Sequence, residues 1–362
     1  MSAHLRADLA LIGFGHVGRR FAALLEERRD GLAGYCGLDC RIVGMATRRT
    51  GARFDPRGID PNDRRDDAGG SAGPAAAFEV IEQLGRSDAD LRIVVETTTL
   101  DISAGQPAID HVRSAFAAGC DVITANKGPV AFAYASLSAE ASAAGVSFLF
   151  EGSVMDGVPV FNLVREALPL VAVRGFRGVV NSTTNHILTA MEQGDAFDAA
   201  LARMQAEGIA EADASLDLDG WDAAAKTAAL ANVLLDARTS PLAVDRIGIC
   251  ASDGARAREA RANGRRLKLV ASAVRESSGR VSGRVGPVEL AGSDLLAGLD
   301  GKANALLLQT DLLGEIAICQ LEGSLTHTAY ALLSDLVTIA RRRAQPAASA
   351  RRIPRPAGRS LS

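Results

Sequence analysis

Lysine, aromatic residues, paired cysteines and long apolar runs are scarce in this 362-residue chain, and each scarcity excludes something. With 4% aromatics, a core must be built from Ala, Val, Leu and Ile. The five cysteines, Cys36, Cys40, Cys120, Cys250 and Cys319, are odd in number and scattered, which argues against a disulfide framework. No charged-then-apolar leader precedes the first strand, so a reducing, cytoplasmic setting is expected. Cys36 and Cys40 make a C-x3-C, but no second pair and no nearby His completes a zinc pattern. No apolar run approaches the ~20 residues that a membrane-spanning helix needs, so no membrane partner is expected. Excess charge is also missing: the formal net charge is -3, which gives no footprint for nucleic acid. The exception is local. Arg341, Arg342, Arg343, Arg351, Arg352, Arg355 and Arg359 punctuate an acid-free end, so residues 341–362 are expected to form a basic, disordered tail.

The apolar residues that are present alternate between two periods. LALI leads through glycines into a stretch with Val17, Phe21, Leu24 and Leu25 on one helical face. Strands are expected at RIVGMA, LRIVVETTT, DVITA and VSFLFEGS, with helices about 78–84, 109–118 and 134–144. Residues 50–75, rich in Gly, Pro, Asp and Arg, read as a loop. Fully apolar strands alternating with helices indicate a parallel sheet covered on both faces. From Asp156 the pattern changes. A helix about 158–168, a strand at RGFRGVVNS, helices about 196–205 and 222–236, and later short strands between glycine turns suggest a second α/β domain. The expected division is 1–150, then 151–327, with a last helix about 328–340 packing back on the first domain.

Gly13-Phe14-Gly15-His16-Val17-Gly18 is a G-x-G-x-x-G between a strand and a helix. There the glycines allow a tight turn, and the helix start offers free N–H groups to a pyrophosphate. This is the context of a Rossmann-type, doubly wound nucleotide-binding sheet. Beyond the second strand, where a carboxylate would read a free ribose 2′-OH, the chain has Arg48 and Arg49 and no acid before Asp55. NADP is therefore the expected cofactor, with NAD the alternative. The crevice of such a sheet lies at the strand C-termini, which places Thr97 and Thr98 there together with Lys127, the only lysine in the first 225 residues. Farther on, Glu211, Asp213, Asp217, Asp219 and Asp222 crowd ahead of Lys226 in an alanine-rich helix. Asp222 and Lys226, four apart, share one face, with the acid in the helix's first turn.

Taken together, GFGHVG, TANKGPVA, EGSVMDGVPV, GVVNSTTNHIL and EGIAEADASLDLDGWDAAAK resemble the homoserine dehydrogenase family over about residues 9–340. The resemblance implies reversible, NAD(P)-dependent oxidation of L-homoserine to L-aspartate 4-semialdehyde, a step of threonine and methionine biosynthesis. It also implies a homodimer formed through the second, catalytic and dimerisation domain. By this likeness Lys226 is the general acid/base, Lys127 acts beside it on cofactor and substrate, and Asp222, Glu211, Asp217 and Thr183 hold the substrate. Gly208 and Gly323 approach the cofactor. Glu151 with the carbonyls of Val154, Asp156 and Val158 holds a monovalent cation, usually sodium, an oxygen-only set that suits such an ion.

Two departures qualify the likeness. Relatives often carry a glycine-rich loop before the last helix, whereas here Cys319-Gln320-Leu321-Glu322-Gly323-Ser324 keeps one glycine, which makes close phosphate approach harder. Met155-Asp156 stands where small residues are usual, so the 151–158 stretch is alternatively a plain connection. The chain also leaves no room for the family's C-terminal regulatory domain, and feedback by threonine through that route is not expected. A paralogous dehydrogenase of another small amino acid, or a non-catalytic nucleotide sensor, are the competing readings.

Overall fold

A computed structural model describes residues 5–63, 73, 75–206 and 213–344. The chain divides into two compact units, one holding residues up to Pro159 and again from Ser324, the other Val160–Gly323.

The first unit alternates strand and helix. Its elements are β1 (Leu5–Ile12), α1 (His16–Glu27), α2 (Arg29–Cys36), β2 (Leu38–Thr47), β3 (Gly51–Phe54) and α3 (Ala75–Gly85). Then come β4 (Leu91–Glu96), α4 (Ala108–Ala117), β5 (Asp121–Thr124), α5 (Lys127–Ala144) and β6 (Phe148–Leu149). The sheet order is β3-β2-β1-β4-β5-β6, parallel throughout except that β3 pairs antiparallel with β2. Strand order reverses between β1 and β4, and ligands bind at such a switch point, outside the strand C-termini. The last helix, Leu325–Ala344, buries Ala329, Leu332, Leu333, Leu336, Ile339 and Ala340, a 3.6-residue stripe, in one core with Leu9, Leu11, Phe21 and Leu24.

Two local expectations change here. Gly51–Phe54, read as loop, is an edge strand whose residues are mostly half-buried, so it lacks an apolar signature. The apolar stretch after Gly145 gives only the two-residue β6 before the chain turns at Glu151–Ser153.

The second unit opens with α6 (Val160–Asn162), which widens into a π turn over Leu163–Ala167 in place of the helix expected to 168. It continues with β7 (Val173–Val179), α7 (Ser182–Glu192), α8 (Phe197–Ala206), α9 (Ser215–Leu218) and α10 (Trp221–Leu234). After these come β8 (Asp245–Arg246), α11 (Asp253–Ala262), β9 (Arg265–Arg275), β10 (Val281–Ala291), β11 (Asn304–Thr310) and β12 (Glu315–Gln320). The sheet order is β12-β11-β7-β9-β10-β8, antiparallel apart from the β10–β8 pair. The sequence pattern did not announce α11 or β9. Along α11 arginine alternates with alanine, and only small residues such as Gly254, Ala257 and Ala260 are buried, so its helical state rests on packing rather than on an apolar stripe.

Candidate active site

In the first unit the glycine fingerprint separates into packing and access. Gly13 has φ +91°, and a Cβ there would stand 2.7 Å from the Thr97 carbonyl. At Gly18 a Cβ would stand 2.9 Å from the Gly13 carbonyl oxygen. Both positions must be glycine for β1, α1 and the end of β4 to meet. Gly15 is different: a Cβ on it would meet nothing within 4 Å. Gly15 begins α1 without a side-chain cap, and the exposed His16 and half-buried Val17 follow. The N–H groups of that first turn are therefore at an open helix start, the arrangement that favours an anion. Phe14 is buried beneath the guanidinium of Arg19, 4.5 Å from the ring centre.

Thr97 and Thr98 lie at this mouth. The Thr97 hydroxyl donates to the Gly13 carbonyl at 2.9 Å. Thr98 donates through its amide, at 3.2 Å, and its hydroxyl to the carboxylate of Glu96, which is fully buried. The same carboxylate accepts from the Thr124 hydroxyl at 3.2 Å and lies 3.6 Å from His111 Nδ1. Thr124 accepts from the Asn126 amide at 2.9 Å. Asn126 then caps α5 by accepting from Gly128 N at 2.8 Å and donates to the Thr98 carbonyl at 3.1 Å. Lys127, half-buried, is thus the first residue of a capped helix tied to the β4 end. Asn126 was not singled out from sequence. Asn126 had a legible signal, an N-cap residue before a helix.

The 151–158 stretch is strapped to the last helix. Glu151 is buried, and its amide donates to Asp335 at 2.8 Å. Asp156 takes φ +48° and accepts from Thr328 Oγ1 at 3.2 Å, while Val154 O accepts the Asp156 amide at 3.2 Å. Val158 donates its amide to Met155 O. A Cβ at Gly157 would fall 2.5 Å from the His327 carbonyl oxygen. Glycine is obligatory there, and the stretch is a built loop rather than a plain connection. One buried carboxylate among turn carbonyls is an all-oxygen donor set, which fits a hard monovalent ion.

In the second unit α10 begins at Trp221, close to the expected start, and its first two turns carry Asp222 and Lys226. Lys226 Nζ lies 2.9 Å from Asp222 Oδ2 and donates to the Val180 carbonyl at 2.6 Å. Their side chains are 14% and 17% exposed, so the pair is largely withdrawn from solvent. Asn181 caps α7 by accepting from Thr184 N at 2.9 Å. Its Nδ2 donates to Asp217 Oδ1 at 2.7 Å and to Asp222 Oδ2 at 2.9 Å. Burial, then the charge of Asp222, raises the Asp217 carboxyl above its usual range, against hydrogen bonds from Asn181 and Thr183 and the charge of Lys226. Asp217, Asp222, Thr183 and Lys226 therefore come together inside one unit. Asn181, which organises them, stood inside the expected RGFRGVVNS strand with no role assigned; the strand ends at Val179, and Asn181 caps α7, a helix that the pattern did not announce.

The remaining expected residues are dispersed. Arg48 and Arg49 are exposed in the turn after β2, which Thr47 and Thr50 close by a 2.6 Å hydroxyl contact. Gly323 is half-buried between β12 and the last helix. Gly208 and Glu211 lie outside the described residues, as does the tail from 345. No helix among the described residues is long and apolar enough to cross a membrane.

A dinucleotide-type sheet with an open fingerprint, joined in one chain to a lysine–carboxylate cluster, defines a nicotinamide-nucleotide oxidoreductase. The sequence model of the homoserine dehydrogenase NAD-binding domain matches residues 13–151, and that of homoserine dehydrogenase matches residues 159–337. The chain is 36% identical to the NAD(+)-dependent homoserine dehydrogenase of Pseudomonas canavaninivorans, over 91% of this chain and 95% of that protein. It is 34% identical to the homoserine dehydrogenase of Sulfurisphaera tokodaii, over 92% and 98%. A solved homoserine dehydrogenase from Thiobacillus denitrificans superposes with a TM-score of 0.78 at 30% identity, over 93% of this chain and 73% of that one. The chain belongs to the homoserine dehydrogenase family.

Proposed function

We propose that the chain oxidises L-homoserine reversibly to L-aspartate 4-semialdehyde with a nicotinamide dinucleotide, and that Lys226 moves the hydroxyl proton. The observation that carries this reading is the second-unit cluster, in which one ammonium is held at 2.9 Å by a carboxylate that Asn181 also bonds. Asp217, Asp222 and Glu211 supply negative charge for the substrate's ammonium, and Thr183 supplies a hydroxyl. Lys226 takes the alcohol proton as a neutral amine in the oxidising direction, while the hydride goes to the dinucleotide, and as the resulting ammonium returns it in the other. Bound, the dinucleotide supplies the hydride acceptor. Gly13, Phe14, Gly15, His16, Val17 and Gly18 seat its pyrophosphate, with Thr97, Thr98, Lys127, Gly208 and Gly323 around it.

NADP is the preferred dinucleotide in this reading, supported by the exposed Arg48 and Arg49 where a 2′-phosphate would be met. The NAD(+) dependence of the Pseudomonas relative favours the alternative, NAD. A sodium ion held by Glu151 and the carbonyls of Val154, Asp156 and Val158 braces the loop under the last helix. A homodimer through the second unit is supported by apolar side chains on its sheet, with Val274 47% and Val288 40% exposed.

The test follows reduced-nicotinamide absorbance with homoserine and each dinucleotide. Turnover with homoserine is expected, with the higher kcat/KM for NADP. Turnover of a different amino alcohol alone would favour a paralogous dehydrogenase, and dinucleotide binding without turnover would favour a sensor.

A further inference from the structure

We propose that Arg246 is a positioning residue that clamps the turn between Asp217 and Asp222, holding the two substrate-binding carboxylates side by side. This deepens, and rests on, the reading of that cluster as the homoserine site. Asp217 lies on α9 and Asp222 on α10, and the step between them is made by Asp219 and by Gly220 in the left-handed conformation, φ +78°. Two acids on such a turn repel each other. Asn181 and Lys226 hold them from one side.

The turn is also held by β8 and the residues that follow it. The guanidinium of Arg246 lies 3.7 Å from the ring centre of Trp221, the only tryptophan in the chain, and donates to the Asp219 carbonyl. Its Cγ is 3.4 Å from where a Cβ on Gly220 would stand. Two residues on, Gly248 is so close to the turn that a Cβ would fall 2.2 Å from the Leu218 carbonyl oxygen, and Ile249 donates its amide to that oxygen at 2.8 Å. Arg246 itself is anchored in the sheet opposite Val285. A planar guanidinium can stack on the indole and bond the carbonyl at once, whereas a lysine can do only the second well.

Lys226 has a separate anchor, the Val180 carbonyl. Loss of the clamp therefore disturbs the carboxylates more than the proton-moving amine. In R246A, folded with an unfolding midpoint near the parent's, KM for homoserine rises about tenfold while kcat falls less than about threefold and KM for the dinucleotide holds. Emission from Trp221 shifts to the red as water replaces the guanidinium. R246K, which keeps the charge and a donor, falls between the two in KM and carries the test if R246A does not fold. Homoserine KM within twofold of the parent in folded R246A, or KM unchanged in R246K where R246A does not fold, overturns the proposal. If the parent itself turns over no homoserine, the functional reading falls separately. The clamp is then judged by Trp221 emission alone, and an emission unchanged in R246A overturns it.

Discussion

At the scale of single residues, reactivity follows burial and partners. Lys226 is held from two directions, so K226A deletes the proposed proton-moving group and leaves Asp222 bonded to Asn181. Its kcat is expected to fall by about 10²–10⁴-fold while dinucleotide affinity, measured by fluorescence of the bound reduced form, stays within about threefold. A drop of only a few fold would remove Lys226 from the chemistry. The thiols show the same principle. Burial pushes Cys40 and Cys120 up to about 12, whereas Cys250 is exposed. Alkylation of the native protein at neutral pH, read by mass spectrometry, should label Cys250 and spare Cys40 and Cys120 until the chain is unfolded. What was legible at this scale was residue type in a motif, such as Lys127 or Asp222. What was not legible were Asn181 and Arg246, whose partners lie far along the chain.

At the scale of elements, α7 is the organising piece of the second unit's site. N181S keeps an N-cap oxygen but cannot bridge two carboxylates, whereas N181A loses both. N181A is expected to lose about 1–2 kcal/mol of stability in chemical denaturation, and N181S only a few tenths. Both should raise KM for homoserine; if N181S matches the parent in KM, the bridge is irrelevant to binding. One turn farther along α7, Asn185 Oδ1 accepts from Lys268 Nζ at 3.0 Å, and the fully buried Lys268 also bonds the Leu299 carbonyl. Burial, then the charge of Arg266, lowers Lys268 from 10.5 to about 8. The unfolded chain thus binds the proton more tightly between those values, and stability from this group grows as pH rises through that window. The contribution is complete above pH ~10.5, lost below ~8, and amounts to about 3 kcal/mol. Urea denaturation of parent and K268M across that range should show their difference changing by about this amount; a constant difference would contradict it.

At the scale of the whole molecule, each unit has its own core and carries its own share of the site residues. If the 151–158 loop holds sodium, replacing sodium by a bulky organic cation should lower activity several-fold and chelators of divalent metals should do nothing. E151Q should lose the sodium response, with kcat followed against sodium concentration as the check.

Much of the first unit could be read in advance because its strands are buried on both faces and its connections are short. Continuous apolar runs and a glycine fingerprint survive as pattern there. The second unit was less legible. Its sheet is mostly antiparallel, its helix Asp253–Ala262 buries only small residues, and its strand Arg265–Arg275 starts with two arginines, so periodicity says little.

The sequence by itself determined which groups exist and in what order: the fingerprint glycines, the lysines and the acids that mark the family. Only tertiary structure decided that Asn181 bonds two acids 36 and 41 residues away and that Arg246 lies against Trp221. Local spacing sets which side chains share a helix face, but contacts between elements depend on how cores pack. Packing is a sum over many weak apolar contacts and is not written at any one position.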